Sequence, residues 1–424
     1  MLIVSVVFWG VLIFLLAKIF LSQRNILKLF FIGGLLIKVL AGICVGLVYT
    51  YYYTAGDTFG FFYDAQVLNT LLDKADGAYF DFILFGDRSF EVVEGLVNLE
   101  RRSLFFVKNL SLVTMVSFNS YWVSSIFFSI VSFLGCWYAF KKMIVHFPEG
   151  RWSGLVSFLF VPTFIFWSSG IIKESLSVAA LMYLTGFTIA LVFKEKSKLW
   201  EWVLAAIAVL FLWKLKYYWA ALFIPAAFTT VLLIRLIIPV LPTRNKVFET
   251  LLWISVFGLI VLGGSNIHPN FYLSRFLNVV VENHNAYVVA SQNGPVVHFY
   301  NLEAGWGSIL LNSPWALFSG LFRPAIVESV SFFQIVVALE NLLLMALFVF
   351  NLRYISNLWN SKHRLLIISV GIYICLLAIF LTLSTPNFGT LSRYRVGFLP
   401  FFFFLLLYHP SQVVLSKINK LKIS

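Results

Sequence analysis

The sequence predicts an all-α polytopic membrane protein of about eleven transmembrane helices, with interfacial helices in a long first outer loop. Three observations carry this. Hydrophobic residues make up 61% of the chain and charged residues only 12%, where a soluble domain carries about 25% charged residues. The mean hydropathy is +0.92, which leaves more apolar surface than one water-facing core can hide. The apolar residues also fall in runs of the ~20 residues that a helix needs to cross a hydrocarbon core.

In chain order the spans are expected at about 2–22, 26–50, 119–140, 152–169, 171–193, 200–213, 217–239, 248–264, 329–351, 364–384 and 396–411. Met1 to Ser22 has neither a basic n-region nor a small-residue cleavage site, so it reads as a retained helix and not a signal peptide. Trp167-Ser168-Ser169-Gly170 reads as a tight turn between the fourth and fifth spans, and the sixth span is short. The remainder, 1–424, is one integral membrane domain whose large outer loops cover about 51–118 and 265–328.

Orientation follows from Lys and Arg, which collect in short cytoplasmic loops. With the N-terminus outside and the C-terminus inside, Arg24 and Lys28, Lys141, Lys142 and Arg151, Lys194, Lys196 and Lys198, Arg244 and Lys246, Arg353, Lys362 and Arg364, and Lys417, Lys420 and Lys422 all fall on one side. The segment 51–118, with nine Asp/Glu against five Lys/Arg, falls on the other. The net charge of +13 is explained by that asymmetry. No basic run interleaved with aromatics suggests nucleic acid. Cys44, Cys136 and Cys375 each sit in apolar sequence, without a disulfide or zinc pattern.

Polar chemistry therefore gathers on the expected outer side, in five constellations. Gly56-Asp57 is followed seven residues later by Asp64, two turns on if the stretch is helical. A carboxylate there acts as a general base, binds a divalent cation such as Mg²⁺ or Mn²⁺, or, for Asp57, caps a helix. The rest of that loop reads as interfacial helices that pack. Lys173-Glu174 follows the Ser168–Gly170 turn; such a pair in apolar sequence is costly unless paired or wet, and Lys173 either meets a lipid-linked phosphate, pairs with Glu174 or snorkels. Lys214 and Lys216 lie between Trp213 and Tyr217-Tyr218-Trp219, where a phosphate-bearing lipid or ordinary headgroups explain them equally. Arg323-Pro324, Glu328 and Glu340-Asn341 follow an interrupted, re-entrant or interfacial segment, while His268, Arg275, Glu282, His284, His298 and Glu303 upstream match no metal motif. Arg393-Tyr394-Arg395 stands at the entrance of the last helix, where guanidinium either suits bidentate phosphate recognition or anchors to lipid headgroups.

Taken together, Gly-Asp with Tyr63-Asp64 after an early helix resembles the first outer loop of polyprenyl-phosphate-sugar-dependent glycosyltransferases of the GT-C type. Trp167 to Glu174, Leu321-Phe322-Arg323-Pro324 with Leu339-Glu340-Asn341, and Arg393-Tyr394-Arg395 with Pro400 are similar to patterns in bacterial exopolysaccharide and O-antigen membrane proteins. The resemblance runs from about 56 to 400 and departs from the family in placing two helices before the loop. It implies an inner-membrane enzyme acting at the outer face on a polyprenyl-phosphate-linked sugar and a glycan or lipid acceptor, in contact with membrane lipids. It implies Asp57, with Asp64, as the acid residue that activates the acceptor or holds a metal. Lys173, Arg323, Arg393 and Arg395 would steady the departing phosphate, with Glu174, Lys214 and Lys216 beside them.

Besides the transferase, a close neighbour within the enzyme reading and two other classes compete. One of the classes is a non-catalytic membrane subunit of an envelope assembly, which predicts no deep polar cavity on the outer side. A repeat-unit polymerase or ligase would lean on Arg275, His284 and Arg323. A transporter of lipid-linked glycan needs charges mid-membrane, where the sequence offers Lys38 and Glu340, Lys18 lying near a helix end.

Overall fold

A computed structural model describes residues 2–53, 56–74, 77–85, 95–241, 245–291 and 294–409. Arg244, Lys417, Lys420 and Lys422, and four acids of the first loop at 76, 87, 91 and 94, lie outside the described residues. The regular elements are helices: α1 Leu2–Leu21, α2 Asn25–Tyr51, α3 Asp57–Asn69, α4 Leu71–Lys74, α5 Ala78–Phe85, α6 Arg101–Val116, α7 Tyr121–His146, α8 Arg151–Leu159, α9 Pro162–Phe166, α10 Lys173–Val192 and α11 Leu199–Leu232. After them come α12 Lys246–Gly264, α13 Leu273–Ala290, α14 Trp306–Phe322, α15 Phe332–Asn351, α16 Ile355–Asn360, α17 Arg364–Ser384, α18 Phe388–Tyr394 and α19 Leu399–His409. Among the described residues eight helices are long and apolar enough to span a membrane, or nine if the bent pair Phe388–Gly397 and Leu399–His409 is one span.

The difference from eleven has local causes. The expected span 152–169 is two short helices, because Phe160 and Val161 break the run and Pro162 starts α9; proline supplies no N–H to a helix interior and restricts the residue before it. The expected spans 200–213 and 217–239 are two helices that meet at a kink at Lys216, whose φ of −140° and ψ of 63° are non-helical, within the 42-residue run Leu199–Val240 that enters the count of eight once. Lys214 and Lys216 thus sit at the kink between the two.

The chain divides into two compact units. The first comprises residues 1–138, 164–183 and 206–216. In the segment expected to be interfacial, α3 and α6 pack on one another: Phe61, Ala65 and Leu68 recur at helical spacing and meet Phe106, Val107 and Leu110, all fully buried together with Phe128 of α7. Helix-to-helix approach elsewhere depends on small residues. Gly170, at φ +77°, brings its backbone against Gly42 of α2, and a Cβ on Gly135 of α7 would collide with the Ala179 backbone of α10.

The second unit comprises residues 139–163, 184–205 and 217–424. Its α17 packs against α13 and α14 and marks the two ends of the unit, about 30 Å apart over its length. At the Arg364 end, Lys142 and His146 pair with Glu195, Arg364 with Glu249 at 2.5 Å, Lys246 donates to Asn360 at 2.8 Å, and Tyr408 donates to Glu149 at 3.2 Å. At the Ser384 end, Val297 N–H donates to the Pro386 carbonyl at 2.9 Å, Asn387 donates to Ser291 at 2.7 Å, and His284 Nδ1 lies 3.0 Å from the Leu383 carbonyl. The segments that the charge pattern puts on one side meet at the first end, and the 265–305 and 385–395 segments meet at the second.

The close crossing at Gly135 predicts that Gly135→Ala lowers the unfolding midpoint in detergent, with an overpacking cost of about 1–3 kcal/mol. Gly258→Ala, where a Cβ meets nothing within 4 Å, is expected to leave the midpoint unchanged or raise it slightly. Equal behaviour of the two variants in a thermal-shift assay would contradict the packing account.

Candidate functional site

The candidate residues fall into a set in the first unit and a set in the second. In the first, Asp57 is the opening residue of α3 and exposed, with Gly56 at the N-cap position. Its charge complements the partial positive charge of the helix N-terminus. Asp64, seven residues on, is fully buried and accepts from Val97 N–H at 2.8 Å, Asn98 N–H at 2.9 Å and the Asn98 side-chain amide at 2.8 Å. Both its oxygens fasten the 97–98 segment to α3. The two aspartates are separated by about 10 Å along the axis and face different surroundings, so they do not share one substrate atom or one ion. Among the described residues no three His, Cys, Asp or Glu side chains group as a metal site would need.

The adjacent Lys173 and Glu174 diverge. Consecutive helical positions are turned about 100° from each other, and each side chain finds a partner remote in sequence. Lys173 donates to Ser103 at 3.1 Å, lies 3.8 Å from the Glu100 carboxylate and rests over the Phe61 ring. Glu174, fully buried, receives Lys216 Nζ at 2.6 Å. The non-helical backbone at Lys216 is what returns that ammonium to α10. Lys214, two residues earlier, is exposed. Glu100 also receives Arg102 and Ser103. Burial pushes its carboxyl up, but Arg102 and Lys173 beside it outweigh that and hold it below the usual glutamate range. Deeper in the unit, Lys38 is 3% exposed and donates to Ser168, which in turn donates to the Phe164 carbonyl.

In the second unit, Arg323 at the end of α14 chelates Glu328 through Nε at 2.9 and 3.1 Å and through Nη2, and it lies 5.0 and 5.1 Å from the Trp315 and Phe388 ring centres. This pairing, against only partial burial, holds the Glu328 carboxyl below the usual range. Arg395 is 1% exposed at the bend between α18 and α19. Its Nη1 donates to the Arg323 carbonyl at 3.0 Å and its Nη2 to Asn341 Oδ1 at 2.8 Å, while the Asn341 amide donates to the Pro324 carbonyl at 2.9 Å. Arg395 makes no ion pair among the described residues, and its Nε has no hydrogen-bond partner there. Glu340 instead receives the Thr163 backbone N–H at 3.2 Å and the Thr163 hydroxyl, at the start of α9. Arg393 is half-buried on α18. His284 is 9% exposed, and burial holds its imidazole below the usual range.

Sequence reading therefore names most of the charged residues and misses their partners. Glu100 and Ser103 were grouped with packing residues, although an acid directly before Arg101-Arg102 at a helix start was visible. Asn341 was visible only as the neighbour of Glu340, and nothing local reveals that it meets Arg395.

Two outcomes follow. Lys216→Met leaves Glu174 buried without its ammonium and is expected to cost about 3–5 kcal/mol, most of it recovered by adding Glu174→Leu; a double-mutant cycle on chemical unfolding checks this. Glu328 has its carboxyl depressed in the folded state, so its contribution is full above the ordinary value of 4.5 and is lost as pH falls through the lower folded value. Glu328→Gln is expected to flatten that part of a stability–pH curve. No protein-family model, no curated protein and no solved structure matches this chain.

Proposed function

We propose that this chain is a membrane glycosyltransferase that uses a polyprenyl-phosphate-linked sugar at the outer face of a bacterial inner membrane, with its N-terminus outside. The observation that carries the reading is Arg395: a buried guanidinium at the bend of a broken span, held by a carbonyl and an amide and by no carboxylate in ion-pair range. The Glu340 carboxylate interacts with this guanidinium electrostatically from beyond ion-pair distance. A buried cation with no direct counter-ion is unfavourable, and a phosphate monoester leaving group would supply one. In the reaction the acceptor hydroxyl attacks the anomeric carbon and the bond from that carbon to the phosphate oxygen breaks. The electron pair leaves with the polyprenyl phosphate, whose charge the arginines stabilise. The hydroxyl proton passes to a base, a role that the resemblance to GT-C enzymes assigns to Asp57.

A repeat-unit polymerase or ligase is a second reading, supported by one specific grouping: Arg275, His284, Arg323, Arg393 and Arg395 all belong to the second unit, while Asp64 spends both oxygens on a loop. Transfer of labelled sugar from the polyprenyl-phosphate donor, assayed in proteoliposomes, separates the readings. Under the first, Arg395→Gln lowers turnover about 10²- to 10³-fold, the effect of removing one donor to a developing anion, and Asp57→Asn is similarly impaired. Under the second, Arg395→Gln and His284→Ala are impaired and Asp57→Asn keeps its rate. Full transfer activity in a folded Arg395→Gln variant would overturn both.

A further inference from the structure

The second unit holds two adjoining cavities that extend from the Arg364 end and are not lined by Arg395. The inner one, about 110 Å³, is walled almost entirely by hydrocarbon from α7, α10, α11, α17 and α19, among them Phe223, Ala227, Val370 and Phe401. The second, about 370 Å³, adjoins it, the two sharing Leu358, Ser361, His363, Ile367, Leu405 and Tyr408 as walls. Its remaining wall is mixed, with Glu149, Asn351, Asn357, Lys362 and His409 set among Phe348, Leu352, Ile355, Phe402 and Leu406. An apolar floor beside a mouth of mixed polarity matches one amphiphile with its chain inside and its headgroup at the rim. Ligand pockets of about 300–1,000 Å³ are the usual range.

The sign of the headgroup follows from the rim. Two acids of this end are already neutralised, Glu195 by Lys142 and His146 and Glu249 by Arg364. Burial holds His363 below the usual imidazole range, and its ring lies 4.7 Å from Phe147 as part of the apolar wall. Glu149 receives the Tyr408 hydroxyl at 3.2 Å. Lys362 is exposed, and Arg353 lies over the ring of Tyr354, which itself lines the second cavity. Cations thus outnumber acids at the rim, on the end of the unit where the basic segments meet.

We propose that this space is a binding site for an anionic phospholipid, one acyl chain in the inner cavity and the phosphate at Lys362. It is independent of the glycosyltransfer reading, which rests on Arg395 and not on these walls. The test uses the full chain in vesicles of mixed phosphatidylcholine and phosphatidylglycerol, with a diazirine near the end of one acyl chain of either lipid. The labelled phosphatidylglycerol is expected to modify Val370 and Phe401 about fivefold more than labelled phosphatidylcholine, the preference that a single basic group near a headgroup confers. Lys362→Gln should bring the ratio close to one, and Ala227→Phe, which fills the floor, should remove labelling of both residues. Equal labelling by the two lipids, or labelling confined to outward positions such as Leu376, would overturn the proposal. A ratio unaffected by Lys362→Gln would overturn it equally, without touching the catalytic reading.

Discussion

In lipid, an ionised side chain has no water to fall back on, and each one in a span must be satisfied by the protein. That constraint organises this molecule. Lys216 and Glu174 answer one another at 2.6 Å, and the helix gives up its regular backbone at Lys216 to let them meet. Glu340 caps the start of α9 through Thr163. Lys38 is held by Ser168, in the turn that Gly170 lets approach Gly42. The irregular points of the fold, at Lys216, at Ser168–Ile172, at Pro162 and at the α18–α19 bend, are the points where a charge or a polar backbone is being accommodated.

Arg395 is the exception within that pattern. Its partners are a main-chain carbonyl and an amide, both neutral, and the nearest acidic residue of the same segment is engaged at α9. Arg323, by contrast, is fully committed to Glu328. Of the arginines that the sequence singled out, one is thus built into a closed ion pair and one touches only neutral groups, with the Glu340 carboxylate as its more distant counter-charge. The same arithmetic reassigns the carboxylates: Asp64 is a structural clasp, and Asp57 is the one with solvent access.

Helix positions were legible because they depend on local hydropathy, and most expected boundaries agree to within a few residues. Even the failure at 152–169 had a visible warning in Pro162. The charge asymmetry was legible too, since Lys142 near Glu195 and Arg364 near Glu249 bring the basic segments of the second unit to one end. What could not be read was pairing. Lys173 and Glu174 are neighbours in sequence and look like a pair, yet helical rotation sends one to Glu100 and the other to Lys216. Composition carries no information about a partner 42 or 73 positions away, and the break at Lys216 lies nine residues before Pro225, the proline of that helix.

The Glu174–Lys216 pair also bears on how the chain reaches the bilayer. Synthesis delivers Glu174 42 residues ahead of Lys216, an interval of roughly 2–8 s at ordinary elongation rates. Throughout that interval α10 carries a carboxylate whose counter-ion does not yet exist. The nascent α10 therefore has to wait at the membrane surface or inside the insertion machinery, and it settles laterally only once the following helix arrives. One ion pair thereby imposes an order of assembly, coupling the insertion of two helices that hydropathy alone would treat as independent.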